Sequence, residues 1–174
     1  MFGLVHDPQR HSDVIKDYCS MGLKPAWYEE PFVNQWGLKV SCNNQLGRYL
    51  TSSKSIPACS VVMILLPVNI KHQSQMLPQD YNRAIQVSDV HYSCSESETE
   101  FNNCISHSCD PTCWVLIDEN YFIYLVSTRT IHPEDPISFD YNTTEEDMVK
   151  QGVDFRCQCG SKYCKSWIRG RKYL

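Results

Sequence analysis

Six of the ten cysteines lie in two clusters whose spacing suits a metal site. The clusters cover residues 104–113 and 157–164, and the second has the pattern Cys-x-Cys-x4-Cys. Its members are Cys157, Cys159 and Cys164. Three thiolates are one ligand short of a closed tetrahedral Zn²⁺ site, so the first cluster is the obvious source of the fourth. We predict Cys109 for that position, because the Asp-Pro after it favours a turn that exposes its sulfur, with Cys113 as the second candidate.

The segment Ile105–Cys113 is the first of three segments that follow one another in a distinctive order. Ile137–Asn142 reads Ile-Ser-Phe-Asp-Tyr-Asn, and Phe155–Cys164 contains the cysteine triplet. A metal ion shared by the first and last segments would draw distant loops into one place. We therefore predict a metal-stapled active site built from all three. The alternative, buried free thiols, fits poorly because Cys-x-Cys-Gly is an unusual way to fill a core.

The rest of the pattern predicts a mostly-β domain that positions these segments. Capping patterns predict helices at residues 12–21 and 143–150, and residues 118–120 are predicted as the tip of a hairpin. Short strands at this spacing with few helices favour small twisted sheets around loops. The predicted strands are residues 38–42, 47–51, 60–66, 83–87, 114–117, 122–128 and 136–140.

Length and composition bound the class of protein. The 174 residues suit one domain with a short arm, and 42% hydrophobic with 21% charged residues is ordinary for a soluble globular chain. The longest apolar run, Val61–Leu66, is far too short to cross a bilayer, so no membrane association is expected. The start of the chain has no secretory signal pattern, so we expect an intracellular location, nuclear or cytoplasmic. Reduced thiols are then expected rather than disulfides.

The net charge of −4 bears on the kind of partner. It supplies no basic surface for direct contact with nucleic acid, and none is expected. It favours a cationic partner, such as a lysine-rich peptide.

The three segments together resemble the SET-domain family of protein-lysine methyltransferases, including its post-SET zinc segment. Ser106–Thr112 resembles the family's Asn-His-Ser-Cys-x-Pro-Asn motif, and Ser138–Asn142 its Phe-Asp-Tyr motif. Residues 157–164 match the post-SET cysteines, and Leu46–Ala58 is similar to the Gly-x-Gly strand with the turn after it. The ending Trp167–Leu174 looks most like that of small, stand-alone members.

The resemblance implies a mostly-β fold, a SET-type β-clip of small twisted sheets with a pseudoknot and a zinc-bound post-SET segment. It divides the chain into an amino-terminal arm (residues 1–37), a SET domain (38–152) and a post-SET segment (153–174). S-adenosylmethionine would bind on one face, and a peptide lysine would enter a narrow aromatic channel from the other. The Zn²⁺ ligands would be Cys109, Cys157, Cys159 and Cys164.

The resemblance also implies roles for individual side chains. Tyr141 would be the catalytic tyrosine, oriented to the lysine nitrogen and the transferred methyl, and Phe139 would tune how many methyl groups are added. An apolar channel favours the neutral amine, which a lysine of pKa about 10.4 must become before it attacks a sulfonium methyl. The cofactor-binding residues would be Gly47, Arg48, Tyr49, Ser106, His107 and Tyr141.

Two departures from the family pattern fall on the cofactor motifs. Tyr49 replaces the second glycine of Gly-x-Gly, where its ring is expected in or beside the methionine end of the cofactor. Ser106 replaces an asparagine that would hydrogen-bond the cofactor. Thr112, in place of the family's second asparagine, is a third and milder change. Losing one buried polar contact costs about 1–3 kcal/mol, or roughly a tenfold to hundredfold loss of affinity.

Three functions follow from this pattern. The first is transfer of a methyl group from S-adenosylmethionine to a protein lysine, for which a histone tail is the commonest substrate implied by the resemblance. The second is a SET fold that no longer uses the cofactor and binds peptides. The third is an enzyme that uses the same pocket for a different small molecule.

Overall fold

The computed structural model describes residues 35–44, 46–67, 69–95 and 100–174. The helix predicted at residues 12–21 and most of the predicted arm lie outside the described residues. Within them, no helix has the length and apolar character needed to cross a membrane.

Short strands dominate the described part of the chain, as the sequence predicts. The single α-helix there, α1, covers Met148–Gln151, and 3₁₀ turns cover Gln73–Gln75, Pro78–Arg83, Phe101–Cys104, Tyr141–Thr143 and Arg171–Tyr173. The strands are β1 (Leu38–Asn43), β2 (Gly47–Ser52), β3 (Val61–Leu65), β4 (Ile70–His72), β5 (Ala84–Gln86), β6 (His91–Cys94), β7 (Ser106–His107), β8 (Cys113–Ile117), β9 (Ile123–Ser127), β10 (Ser138–Phe139), β11 (Phe155–Arg156) and β12 (Trp167–Ile168).

These strands form five small sheets among the described residues. The pairs β1–β2 and β11–β12 are antiparallel, and so are the three-stranded sheets in the orders β3-β9-β8 and β4-β6-β5. β7 and β10 pair in parallel. The predicted architecture of small sheets around loops is therefore confirmed.

The β8–β9 hairpin forms where the turn residues were predicted. Asp118 Oδ1 accepts hydrogen bonds from the backbone N–H groups of Asn120 (2.9 Å) and Phe122 (3.0 Å), which closes the turn. The hydroxyl of Tyr124 donates to the other carboxylate oxygen of Asp118 at 3.0 Å. The hairpin prediction is confirmed.

The parallel β7–β10 pair brings two central segments of the chain side by side. Ser106 lies opposite Ser138, and His107 lies opposite Phe139. The backbone of Ile137 joins this pair to β2. Its N–H donates to the carbonyl of Leu50 (2.8 Å), and its carbonyl accepts from the N–H of Ser106 (3.1 Å). The two motif-bearing segments are thus fixed against each other above the core.

Fully buried aliphatic side chains from distant strands and turns form the core beneath this pair. These side chains exclude water from one side of the β7–β10 pair, so the pair packs directly on the hydrophobic core. The central residues of this cluster include Leu50, Ile56, Ile123, Leu125, Ile131 and Ile137.

The helix predicted at residues 143–150 is shorter than expected. The predicted start was a capping pattern at Thr144–Asp147, but α1 begins after Asp147, whose side chain accepts from the backbone N–H of Lys150 at 3.0 Å. Glu145 is held elsewhere by a hydrogen bond from the backbone N–H of Gln86 at 2.9 Å, which keeps this stretch out of the helix. The helix ends at Gly152 in the left-handed conformation, as predicted.

Candidate active site and metal centre

Four cysteine sulfurs from two distant segments meet at one point. The sulfurs all lie within 4.8 Å of one another, and those of Cys109 and Cys157 are 3.8 Å apart. Four thiolates at about 2.3 Å from a tetrahedral Zn²⁺ would be separated by about 3.8 Å, so this donor set fits the ion in both chemistry and size. The members are Cys109, Cys157, Cys159 and Cys164, the set that was predicted.

Cys113, the second candidate for the fourth ligand, lies elsewhere. It begins β8, is 1% exposed and contacts Thr112. Burial raises the pKa of its thiol to about 12, so Cys113 is a protonated core residue. The choice between the two candidates therefore falls on Cys109.

Backbone hydrogen bonds fix the cysteine-bearing loops. The N–H of Cys157 donates to Ser166 at 2.9 Å, and the N–H of Lys165 donates to the sulfur of Cys109 at 3.3 Å. Although burial raises the pKa of Cys159, hydrogen bonds from the backbone N–H groups of Cys109 and Ser161 and from the thiols of Cys157 and Cys164 together lower it to about 7. Burial instead raises the pKa of Cys109 and Cys157, so these hydrogen bonds favour the thiolate form at Cys159 and not at those two residues.

Tyr141 lies directly after β10 and points back at the first segment. Its hydroxyl donates to the carbonyl oxygen of Ile105 at 2.7 Å. Its ring lies 4.8 Å from that of Phe139 and 6.1 Å from that of Phe155, centroid to centroid. Burial raises the pKa of Tyr141, and the nearby carboxylate of Glu145 adds to the shift. The phenol is therefore protonated and fixed in direction at neutral pH.

His107 links the tyrosine to the cysteine cluster. Its Nδ1 accepts from the backbone N–H of Tyr141 at 3.2 Å, and its Nε2 lies 3.4 Å from the sulfur of Cys109. Burial lowers the pKa of His107 to about 4. The ring is therefore neutral at pH 7, and the 3.7 Å approach of Nδ1 to Asp140 is not an ion pair.

The carboxylate of Asp140 is instead paired with Lys165, which follows the last cysteine of the cluster. Lys165 Nζ donates to Oδ2 of Asp140 at 2.7 Å, while Oδ1 accepts from the backbone and side-chain amides of Asn142. This ion pair ties the cysteine-bearing tail to the segment that carries Tyr141.

Two clefts meet at the Tyr141 ring. We call the first the aromatic cleft; its walls include Tyr81, Ile85, Phe139, Tyr141, Glu145 and Phe155. We call the second the polar cleft; its walls include Leu46, Arg48, Ser106, His107, Cys157 and Gln158. Both clefts also share Asn103, Ile105, Tyr141 and Phe155 as a common wall. Two molecules, one bound in each cleft, would therefore be separated mainly by Tyr141 and Ile105.

The predicted cofactor residues divide between the polar cleft and the strand beside it. Arg48, Ser106 and His107 line the polar cleft. Gly47 opens β2 with φ +67°, a conformation that glycine adopts without strain. Among the described residues, neither Gly47 nor Tyr49 lines either cleft. Neighbouring side chains in a strand alternate, so the ring of Tyr49 lies on the opposite face of β2 from Arg48.

Several side chains of the site lie outside the sequence motifs. Arg83 joins Arg48, Asn82 and Asn103 in a hollow at the edge of both clefts. Glu145 lines the aromatic cleft and Lys165 pairs with Asp140. None of these has a spacing signal, because each reaches the site through the path of its loop.

Comparison with known proteins agrees with this geometry. The family model for the SET domain matches residues 33–142. A curated relative, the histone-lysine N-methyltransferase ATXR3 of Arabidopsis thaliana, is 36% identical over 64 residues, which are 35% of this chain and 3% of that protein.

Solved structures of KRYPTONITE have a similar fold. Its complex with mCHG DNA and SAH matches 77% of this chain and 29% of that chain, with a TM-score of 0.64 and 20% identity. Its complex with mCHH DNA, H3(1-15) peptide and SAH matches 75% of this chain, again 29% of that chain, with a TM-score of 0.60 and 20% identity. This chain therefore spans a small part of each of these proteins.

The family model covers more than half of the chain and contains the β7–β10 pair and Tyr141. The structural likeness independently establishes the same fold. The predicted resemblance and fold class are confirmed, whereas the residue boundaries of the arm, the domain and the post-SET segment stay predictions. The chain belongs to the SET domain family.

Proposed function

We propose that this chain transfers a methyl group from S-adenosylmethionine to the side-chain nitrogen of a protein lysine. The observation that carries the proposal is the meeting of two clefts at Tyr141, one polar and one aromatic. Methyl transfer needs a nucleophile and a methyl donor held in line and shielded from water, and separate entrances to one reaction point supply this.

The polar cleft is the proposed cofactor site. Arg48 and Arg83 place positive charge beside it, which suits the carboxylate of a methionine moiety, and the Ser106 hydroxyl offers a hydrogen bond. The alternation of side chains along β2 supports this assignment, because it would keep the Tyr49 ring on the face opposite Arg48 and out of the cleft. When bound, S-adenosylmethionine supplies a methyl group made electrophilic by its sulfonium charge.

The aromatic cleft is the proposed lysine site. Phe139, Tyr141 and Phe155 form an apolar wall along which the methylene chain of lysine would pack. Removing the amine from water favours its neutral, nucleophilic form. The hydroxyl of Tyr141 already donates to Ile105, so its lone pairs are directed to accept an N–H of the amine and fix its orientation.

We propose a structural Zn²⁺ at the four cysteines. Cys109, Cys157, Cys159 and Cys164 would fill all four positions of a tetrahedral ion, so the site would be closed to substrate. Its role would be to hold residues 157–164 against the polar cleft, where Cys157 and Gln158 form part of the wall.

The proposed substrate is a lysine-bearing peptide, with a histone tail as the first candidate. ATXR3 is named a histone-lysine N-methyltransferase, and one KRYPTONITE structure contains an H3(1-15) peptide. The net charge of −4 favours such a cationic segment and disfavours direct contact with DNA, although the KRYPTONITE complexes contain it. We further propose that the protein acts inside the cell, in the nucleus or cytoplasm.

Labelled methyl transfer to a peptide array tests this proposal. The array carries lysine-rich sequences, including H3(1-15), and the purified protein is supplied with S-adenosylmethionine. We expect labelling of at least one peptide, and loss on the order of 100-fold in Tyr141→Phe because the amine loses its fixed acceptor. Tyr163→Phe, an exposed tyrosine of the tail, is the matched control and should keep full activity.

Calorimetry with S-adenosylmethionine separates the competing functions. Absence of binding at millimolar cofactor would overturn the proposed activity. Peptide binding without cofactor binding would favour the peptide-binding module, and a co-purified small molecule found by mass spectrometry would favour the third function.

A further inference from the structure

Glu145 is a buried acidic residue that the family motifs do not use. It is 8% exposed and lines the aromatic cleft together with Phe139 and Tyr141. A buried carboxyl group is costly unless it is paired, so its presence beside Phe139 and Tyr141 in the proposed lysine site calls for a role.

The carboxyl group is firmly mounted. Its Oε1 accepts from the backbone N–H of Gln86 at 2.9 Å and from the hydroxyl of Thr144 at 3.2 Å. Its own backbone N–H donates to the carbonyl of Tyr141 at 2.9 Å, which sets Glu145 directly behind the tyrosine. No described residue donates to Oε2. The geometry therefore leaves one acceptor oxygen beside the aromatic cleft.

The surroundings of Glu145 bring its titration to neutral pH. Burial raises the pKa of its carboxyl to about 7, while the hydrogen bonds from Gln86 and Thr144 and the charge of Arg171 limit the rise. The other titratable groups facing it are Tyr92 and Tyr141, whose own pKa values its charge raises. Arg83 contributes a cation to the same cleft wall. The carboxyl is thus able to take up and release a proton at physiological pH.

We propose that Glu145 is the proton acceptor for the target lysine, an inference that rests on the proposed methyltransferase function. The lysine ammonium transfers one proton to the Glu145 carboxylate and becomes a neutral amine. Its lone pair then forms the N–C bond to the methyl group as the C–S bond breaks, and that electron pair remains on sulfur as a neutral thioether. Glu145 afterwards releases its proton to water at the cleft mouth.

The pH dependence of kcat/KM tests this assignment. It is measured for wild type, Glu145→Gln and the control Glu146→Gln, with S-adenosylmethionine and the best peptide of the array. Glutamine keeps an oxygen for the bonds from Gln86 and Thr144 but accepts no proton. Glu146 is exposed, pairs with Arg171 and does not line the aromatic cleft, so its variant controls for loss of a charge nearby.

We expect the wild-type and Glu146→Gln profiles to rise through an inflection near pH 7 and then to level off. Glu145→Gln should lose that inflection, fall about 100-fold at pH 7.5, and recover about tenfold per pH unit as the free lysine deprotonates. Its affinity for S-adenosylmethionine should be unchanged, because Glu145 does not line the polar cleft.

Two results would overturn the inference while leaving the proposed function intact. One is an active wild type whose kcat/KM shows no inflection between pH 6 and 8, a result that requires no variant. The other is a Glu145→Gln profile that matches wild type. An inactive wild type that binds no cofactor would instead remove the proposed function, and this inference with it.

Discussion

At the scale of single residues, the site places ionisable groups in unusual protonation states. Tyr141 is held protonated and His107 neutral by burial, whereas Glu145 titrates near neutral pH for the same reason. Desolvation disfavours the charged form of each group, so it raises the pKa of acids and lowers that of bases. The aromatic cleft thus offers the amine a fixed hydrogen-bond acceptor, Tyr141, and a proton acceptor, Glu145.

The titration of Glu145 predicts a pH-dependent stability. Its pKa rises from 4.5 to about 7 on folding, so between these values the folded state holds a proton that the unfolded state has lost. The contribution of this group to unfolding free energy therefore falls as pH rises from about 4.5 to about 7, by up to about 3 kcal/mol. Glu145→Gln removes this decline.

Urea denaturation at several pH values measures the effect. The difference in unfolding free energy between Glu145→Gln and wild type should grow in favour of the variant between pH 5 and 7.5. Glu146→Gln, whose carboxyl is exposed, should show no such trend. A pH-independent difference for Glu145→Gln would contradict the prediction.

Residue types and spacing predicted the four cysteine ligands, but they did not predict the role of Glu145. Cys157, Cys159 and Cys164 are recognisable because closely spaced cysteines are typical of Zn²⁺ sites, and Cys109 because a turn follows it. Glu145 looked like part of a helix cap, since nothing in the local sequence reveals its bond to Gln86. Contacts between loops distant in sequence carry no local signal.

At the scale of elements, every strand of five or six residues was predicted, whereas of the shorter strands only β5 and β10 were. β1, β2, β3, β8 and β9 have five or six residues with clear alternation or β-rich composition. β4 and β6 were missed because they are three and four residues long and contain Lys71, His72 and His91. Their pairing stabilises them more than their composition does.

The tail element predicts a sharp difference between two glycine substitutions. Gly170 has φ +99°, and a Cβ there would lie 2.6 Å from the carbonyl oxygen of Glu146. Gly170→Ala should therefore cost roughly 2–4 kcal/mol, through backbone strain and a steric clash. Gly152→Ala is the matched control, since Gly152 has φ +73° but open space around its Cβ, and it should cost about 1 kcal/mol.

Chemical denaturation measures both costs, and limited trypsin digestion shows where the strain acts. Gly170 N–H donates to the side chain of Asn142 at 2.9 Å, so Gly170→Ala should release the tail backbone and speed cleavage after Arg169 and Arg171, whose side chains are already exposed. Equal costs for the two variants would show that the tail does not dock as described.

At the scale of the whole molecule, the four-cysteine cluster is the link between the tail and the centre of the chain. We expect elemental analysis to find one Zn²⁺ per chain. A strong chelator or Cys109→Ser should lower the melting temperature on the order of 10 °C, because residues 157–164 would lose their attachment. The control is Cys59→Ser, since Cys59 is exposed and outside the cluster.

The chelator experiment also has a clear negative outcome. A melting temperature that neither chelator nor Cys109→Ser changes, together with no stoichiometric metal, would show that the thiols are held without an ion. Recovery of the original melting temperature on addition of Zn²⁺, and of no other divalent ion, would identify the ion.

The parallel pairing of β7 with β10, sealed by a tail that docks through Gly170, has a consequence for biosynthesis. Residues 106–107 pair only after residues 138–139 have been made, and the contacts that fix this pair also need the loops that end near residue 170. Such long sequence separations make ordering slow. A nascent chain still short of that point on the ribosome would hold every motif residue up to Tyr141 yet have no finished pocket, so ligand capture must follow translation of the tail.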